Sequence, residues 1–480
     1  MGTVLKRNGS LLYLRIAQTI EQQIAIEVRQ VGDKLPSIRT LCREYGVSPS
    51  TALQAYHHLE SKALISARPQ SGYYVCQPQR QRHSIHRTSA PDLAKPAEDI
   101  NALVTKVYSN LEKNSKQIPF SLGLPALELL PVAKLNKGLI QAMRELDGGG
   151  IELESPLGNE RLRKQIARWS FPMEAQIDHR NIITTAGCLS AISHCLMALT
   201  QAGDTIAMES PISFGMLQVA QNLRLKVLEL PTNPLTGIEL DAVKKALSQK
   251  KIRLCLFIPN FSNPLGTCMP DENKKALVEL LEKYNIPLIE NDLNGDVYFG
   301  THRPKSCKTY DESGLVLWCG SVSKSLAPGY RVGWVEPGKF GEKVQQVKMY
   351  HSISSTTITQ EVIASFLENS RYETHLRKLR HTLYTNYLQY IRTINGWFPE
   401  DTRVSQPKGG FVLWVELNKK INTVELYENA IRQKISIAPG KIFTLTNQFN
   451  NCMRLNYGLV WNEKTETGLR VLGKLIKTML

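Results

Sequence analysis

No apolar run in this 480-residue chain approaches the roughly eighteen residues that a membrane-spanning helix needs. The opening MGTVLKRNGSLLYLR has neither a continuous apolar stretch nor a small-residue cleavage site. The expectation is a cytoplasmic protein with no membrane partner. Cysteine is sparse and dispersed: the nine residues form no CxxC pair and no Cys/His group at zinc spacing, which argues against a disulfide framework and a metal site. Acid is also short, with 43 Asp and Glu against 59 Lys and Arg. The surplus of +16 favours a polyanionic partner, and its placement says more. Residues 1 to 90 hold twelve basic and five acidic side chains, so +7 of the surplus lies in the first fifth of the chain.

What is present is enough apolar residue, 42% of the chain, for a large core. The length exceeds what one core usually organises, so two or three domains are expected.

Leu12, Ile16, Ile20, Ile24 and Val28 recur at helical spacing and predict an amphipathic helix of about five turns. In the following GDKLPSIRTLCREYGVSPSTALQAYHHLESKALISARPQSGYYV, Pro36-Ser37 opens a second helix and Gly46 closes it. Ser48 caps a third, with Pro49 at its first position. LISARPQSGYYV then alternates as a two-stranded wing around Ser71-Gly72. Residues 10 to 76 are similar to the winged helix-turn-helix of the GntR family. The resemblance implies double-stranded DNA as partner. Arg39 would contact phosphate or a guanine edge, Ser48, Ser50 and Thr51 would set the recognition helix against the backbone, and Arg68, Ser71 and Gly72 would sit beside the minor groove. The chemistry is apt, because helix N-termini and hydroxyls hold phosphates and arginine reads guanine N7 and O6.

Residues 77 to 99 are polar, basic and proline-containing, and read as a tether, with Arg80, Arg82 and Arg87 able to brush DNA. The apolar spacing in DINALVTKVYSNLEK predicts one helix that docks this tether onto the next domain.

From residue 120 onward, β-branched runs alternate with helical stretches: RNIITTAG, DTIAMES, KVLELP, IRLCLFIP, NIPLIEND and GLVLWCGS. They predict an α/β fold with a mostly parallel sheet, whose ligand groups follow the carboxyl ends of the strands. TAGCLSAISHCL, PNFSNPLG, ENDLNGD and SVSKS lie at those places. A lysine in a loop such as CGSVSKSLAPGYRVGW is either a solvated charge or, held among small residues, a Schiff-base nucleophile. Taken in order, and with PKGGFVLW and CMRLNYG, these motifs resemble the fold-type I, pyridoxal phosphate-dependent aminotransferases of class I/II. Joined to a GntR-type head, the chain is similar to the MocR subfamily of transcriptional regulators.

That resemblance implies domains at 1–76 (winged helix-turn-helix), 77–115 (linker) and 116–480 (aminotransferase-like), the last with a smaller C-terminal α+β subdomain. It implies Lys324 as the lysine that condenses with the cofactor. Gly187, Cys188, Leu189, Ser321, Ser323 and Arg331 would hold the phosphate, Asn263 would donate to the ring hydroxyl, and Arg454 would pair with a substrate or effector carboxylate. The family's E-D-D-x-Y motif, whose first Asp pairs with the pyridine nitrogen, is matched by Glu290, Asn291, Asp292, Leu293 and Asn294. Asn291 therefore takes the acid's place and Asn294 the tyrosine's. Strand alternation turns Asn291 to the ring unless a bulge brings Asp292 there. Ser213 replaces the stacking aromatic, with Phe214 adjacent but pointing elsewhere unless the loop rearranges, and Leu153 replaces a tyrosine that reaches the neighbouring subunit. An amide supplies no counter-charge for a pyridinium, so binding without turnover is the expectation. The expected protein is a homodimeric regulator that senses pyridoxal phosphate or a small amino compound. The alternatives are an active aminotransferase carrying a DNA-binding domain, and a DNA-binding protein whose large domain is a cofactor-free dimerisation scaffold.

Overall fold

The computed structural model describes residues 12–26, 28–62, 64–68, 71–76, 85, 100–109, 117–249 and 252–480. The chain divides into two compact units, Met1–Arg82 and His83–Leu480.

In the first unit, helices Leu12–Ala25, Ile38–Tyr45 and Pro49–Ser61 precede the strands Ile65–Arg68 and Gly72–Val75. The caps are local in origin. Ser37 accepts from the Thr40 amide, Ser48 from the Thr51 amide, and Gly46 takes the left-handed conformation at φ 63° that ends the second helix. Ile16, Ile20, Leu35, Leu41, Ala52, Ala55, Tyr56, Leu59, Ile65 and Val75 form the core. The Tyr56 hydroxyl donates to the Pro36 carbonyl at 2.7 Å, so the one large polar group in that core is satisfied. The first helix is shorter than its spacing predicts. It stops at Ala25, and Val28 is 67% exposed, because the chain has already turned away, with the Arg29 amide donating to the Gln23 carbonyl.

The second unit is built on an eight-stranded sheet. Its strands run in the order Ile183–Thr185, Gly333–Glu336, Val316–Ser321, Leu288–Asn291, Ile252–Phe257, Thr205–Ser210, Lys226–Asn233 and Gly237–Ile238. The six runs read from the sequence all form strands of this sheet and pair in parallel where they adjoin. Gly333–Glu336 and Gly237–Ile238 are antiparallel additions. The strands bury apolar residues on both faces, as a sheet covered by helices requires, with buried polar groups such as Glu209, Glu229, Glu290 and Asn291 among them. A smaller antiparallel sheet follows, ordered Arg403–Val404, Val412–Glu416, Cys452–Asn456 and Ala438–Pro439. Ile118–Pro119 pairs with Ile435–Ser436 beside it.

The stretch read as a tether is partly tied down. Ile85 is 2% exposed and packs in one apolar cluster with Val104, Leu265, Trp414 and Phe443. Ile100, Val104 and Val107 are the buried face of the helix Ile100–Ser109. Arg80, Arg82 and Arg87 lie outside the described residues. Among the described residues, no helix is long and apolar enough to cross a membrane, and no group of three His, Cys, Asp or Glu is placed to hold a metal.

Candidate functional site

The strand ends of the large sheet, the strand Cys452–Asn456 of the small sheet and the last turn of the helix Ile100–Ser109 border a half-open cavity of about 580 Å³. Tyr108, Gly123, Cys188, Leu189, Ser213, Phe214, Met216, Asn263, Asn291, Leu293, Lys324 and Arg454 are among its lining residues.

Lys324 follows the strand Val316–Ser321, and its Nζ donates to the Gly123 carbonyl and lies 5.6 Å from the centre of the Phe411 ring. No carboxylate pairs with it among the described residues. Burial, reinforced by the positive charges of Arg454 and Arg331, pushes its pKa down to about 7. The amine is thus available as a nucleophile near neutral pH, which a solvated lysine is not.

Arg454 sits in the strand Cys452–Asn456 and is 1% exposed. NH1 donates to Asn263 Oδ1 at 2.9 Å, and NH2 donates to the Ser121 carbonyl and to the Tyr108 hydroxyl, the latter at 3.3 Å. Nε is buried without a partner. A buried guanidinium with an unused donor and no counterion among the described residues is the arrangement that an anionic ligand completes. With Asn263 Oδ1 engaged by Arg454, the group that Asn263 has left for a ligand is its Nδ2 donor.

Gly187, at φ 95°, precedes the helix Cys188–Leu199, whose first amides have no partners within the helix. A Cβ on Gly187 would stand 2.5 Å from Arg331 NH2, and one on Gly333 would stand 2.5 Å from the Gly187 carbonyl carbon. Both glycines therefore let backbone and guanidinium close around one point. Arg331 NH2 donates to the Ala186 carbonyl at 2.9 Å and NH1 to Ser323 Oγ at 3.4 Å. Ser321 Oγ contacts Ser323 Oγ at 2.8 Å. Gly187, Ser321, Ser323 and Arg331 do not line the cavity itself; they form a linked cluster beside it, adjoining the lining residues Cys188 and Lys324 in the chain.

The structure separates Asn291 from Asp292. Asn291 lines the cavity, accepts from the Leu293 amide at 3.1 Å and lies against Cys188 and Met216. Asp292 does not line it. Its carboxylate pairs with Arg303 at 2.6 Å and accepts from Trp318 Nε1 and Asn260 Nδ2, on the same side as Glu290. Alternation accounts for this, because residues 290 and 292 share one face of the strand and 291 the other. Asn294 is also turned away, donating to the Phe261 carbonyl at 2.8 Å.

Phe214 departs from its expected position, since it lines the cavity and packs on Tyr108 with ring centres 4.7 Å apart. A helix starts at Phe214, so the alternation that would point it elsewhere does not apply. Tyr108 was not legible as a site residue. The spacing that predicts its helix reports only the apolar face, and the return of that helix to Arg454, 346 residues onward, leaves no local trace. Leu153 is 79% exposed.

In the first unit, Arg39, Ser48 and Ser50 are exposed, and Ser48 Oγ contacts the Ser50 and Thr51 hydroxyls, both at 2.9 Å. Gly72 holds φ 107° at the wing turn, Ser71 Oγ meets the Tyr74 hydroxyl at 2.7 Å, and Arg68 pairs across the wing with Gly72. The Arg68 side chain lies outside the described residues. Arg39→Ala is expected to weaken binding to all DNA sequences alike and to lower the slope of log affinity against log salt by about 1 if it serves a phosphate. Loss confined to operators carrying one guanine would assign it to a base edge instead.

A wing-bearing helical head followed by a large parallel sheet with an enclosed lysine defines a DNA-binding unit joined to an aminotransferase-like body. Residues 12–75 match the model of bacterial regulatory proteins of the gntR family, and residues 116–472 match aminotransferase class I and II. The chain belongs to the aminotransferase class I and II family and carries a GntR head, the domain pairing of the MocR subfamily. It is similar to the HTH-type transcriptional regulators YdcR and YjiR of Escherichia coli, each 34% identical, over 98% and 97% of this chain and 99% and 98% of theirs. An archaeal alanine:glyoxylate aminotransferase shares the fold at a TM-score of 0.75 and 23% identity, covering 79% of this chain and 96% of that one.

The cofactor implied by that fold is pyridoxal phosphate. The residues present fit its reactive end and its anionic groups: an amine whose pKa is brought down to about 7, a glycine-lined helix start beside a guanidinium, and a second guanidinium with an unused donor. They do not supply an acid at the ring nitrogen's expected partner.

Proposed function

We propose that the protein is a cytoplasmic transcriptional regulator that binds double-stranded DNA through its head. Its body takes up pyridoxal phosphate at Lys324 and senses the cofactor or a small amino compound without sustained turnover. The observation that carries this reading is the company Lys324 keeps, with Arg454 in the same cavity and Asn291 where an acid would serve catalysis. When bound, the cofactor supplies an aldehyde that captures primary amines and a ring that can draw electrons from them. Lys324 offers the uncharged amine for capture. Arg331, Ser321, Ser323 and the amides after Gly187 hold the phosphate by charge-assisted hydrogen bonds. Asn263 donates through Nδ2, and Arg454 receives a carboxylate. Asn291 can give the ring a hydrogen bond but no charge, so it orients without promoting proton removal from the captured amine.

A homodimer is part of this reading, with two heads set for paired half-sites.

The test is Asn291→Asp. The substitution is expected to convert the protein from one that binds an amino acid to one that slowly releases its keto product, a gain of at least about tenfold over wild type. A wild-type protein that already forms keto product through many turnovers would show the binding-only reading to be wrong. Absence of DNA affinity at every salt concentration would exclude regulation through the head.

A further inference from the structure

A guanidinium carries five N–H hydrogens, two on each terminal nitrogen and one on Nε. In Arg454 both NH2 hydrogens are engaged, by the Ser121 carbonyl and the Tyr108 hydroxyl, while NH1 serves Asn263 and Nε serves nothing. A carboxylate held bidentately takes either the NH1/NH2 edge or the Nε/NH2 edge. Either edge needs a hydrogen of NH2, so one of its two partners must leave.

The two partners differ in how firmly they are held. Ser121 is fixed to the strand at Ile435–Ser436, its amide donating to the Ser436 carbonyl at 2.9 Å and its hydroxyl meeting Ser436 Oγ at 2.6 Å. Tyr108 makes the longer contact to Arg454, at 3.3 Å, from the last turn of a ten-residue helix. Its hydroxyl also donates to the Ser121 carbonyl, at 3.4 Å, so both of its polar contacts here are long. The same helix provides Val104 to the apolar cluster that seats Ile85, and Phe443 of that cluster lies 5.1 Å from the Arg454 guanidinium.

We propose that a carboxylate bound to Arg454 displaces the Tyr108 hydroxyl, so that ligand binding and docking of the helix Ile100–Ser109 compete for one guanidinium. The inference rests on Arg454 being the carboxylate anchor, as in the proposed function. It adds the element that feels the ligand, which is the helix Ile100–Ser109. By linkage, the factor by which the docked helix weakens carboxylate binding equals the factor by which carboxylate loosens the helix.

The experiment uses the full chain and its Tyr108→Phe variant. The probes are N-(5′-phosphopyridoxyl)-L-alanine and N-(5′-phosphopyridoxyl)ethylamine, which differ only in the carboxylate, each titrated by calorimetry. The variant is expected to bind the alanine adduct about three- to tenfold more tightly relative to the ethylamine adduct than wild type does, the scale of one hydrogen bond no longer to be broken. Equal or weaker relative binding of the alanine adduct overturns the proposal and leaves cofactor binding intact. A second arm needs no cofactor: maleate is added to the wild-type protein while amide exchange is followed across residues 100–109. Faster exchange on adding maleate is expected. Unchanged exchange with maleate bound overturns the proposal, and so does failure of all three probes to bind. Failure of the two adducts alone, with maleate still loosening the helix, removes the cofactor reading and keeps this one.

Discussion

Lys324→Ala is expected to lose covalent uptake of pyridoxal phosphate completely, with no visible absorbance band after dialysis, while the head keeps its affinity for non-specific DNA. Burial and the charges of Arg454 and Arg331 lower the Lys324 pKa to about 7, so uptake should rise with pH and level off just above neutrality. A solvated lysine, with a pKa of about 10.4, would still be accelerating there. A stability consequence has a definite sign. The folded pKa lies below the unfolded one, so between about pH 7 and about pH 10.4 the unfolded chain binds more protons and stability rises with pH. Below that window the full cost of burying the amine is present. Lys324→Met, which keeps the length without the amine, is expected to melt at higher temperature than wild type at pH 6 and to lose that advantage at pH 10. Thermal denaturation at the two pH values checks both signs.

Arg303→Met is expected to destabilise the second unit by about 3–5 kcal/mol, read as a fall in the urea midpoint. Arg303 is nearly buried and bridges Asp292 at 2.6 Å and Asp296 at 2.8 Å. Asp296 also accepts from Trp169 Nε1 and the Tyr372 hydroxyl, and Tyr372 meets Ser325 Oγ at 2.6 Å, one residue from Lys324. Burial pushes the Asp296 carboxyl up, and the Arg303 charge, the hydrogen bonds from Arg303 and Tyr372 and the Arg380 charge together outweigh it and hold the pKa below its ordinary value. In wild type this carboxylate adds stability at neutral pH that is lost as pH falls through its lowered pKa. Without Arg303 two uncompensated carboxylates remain in the interior, and the sign reverses: the variant should recover stability on mild acidification, as protonation removes the buried charges. Adding Asp292→Asn and Asp296→Asn should restore part of the midpoint. A loss below about 1 kcal/mol would mean that the pair is solvated and that the loop carrying Lys324 is supported otherwise.

The site was legible in parts that follow from local chemistry. A lysine among serines after a strand, a glycine at a helix start and an arginine in a strand of buried residues each carry a short signal, and Lys324, Gly187 and Arg454 all lie where those signals point. The choice between Asn291 and Asp292 was also open to sequence reasoning, because a period of two assigns faces once the strand is known. Phe214 and Tyr108 were not accessible in this way. The first depends on which residue begins a helix, and the second on where a helix from the tether docks.

By itself the sequence determined the head's caps and turn, the run of parallel strands and the residue types that end those strands, because each arises from interactions within a few residues or from a strict period. Tertiary structure alone decided that Tyr108 and Ser121 share the Arg454 guanidinium, that Ile85 is seated in the body, and that Asp292 is spent on Arg303. These are contacts between segments far apart in the chain, set by how sheets and helices pack and by which buried donor finds which acceptor. No local pattern encodes them.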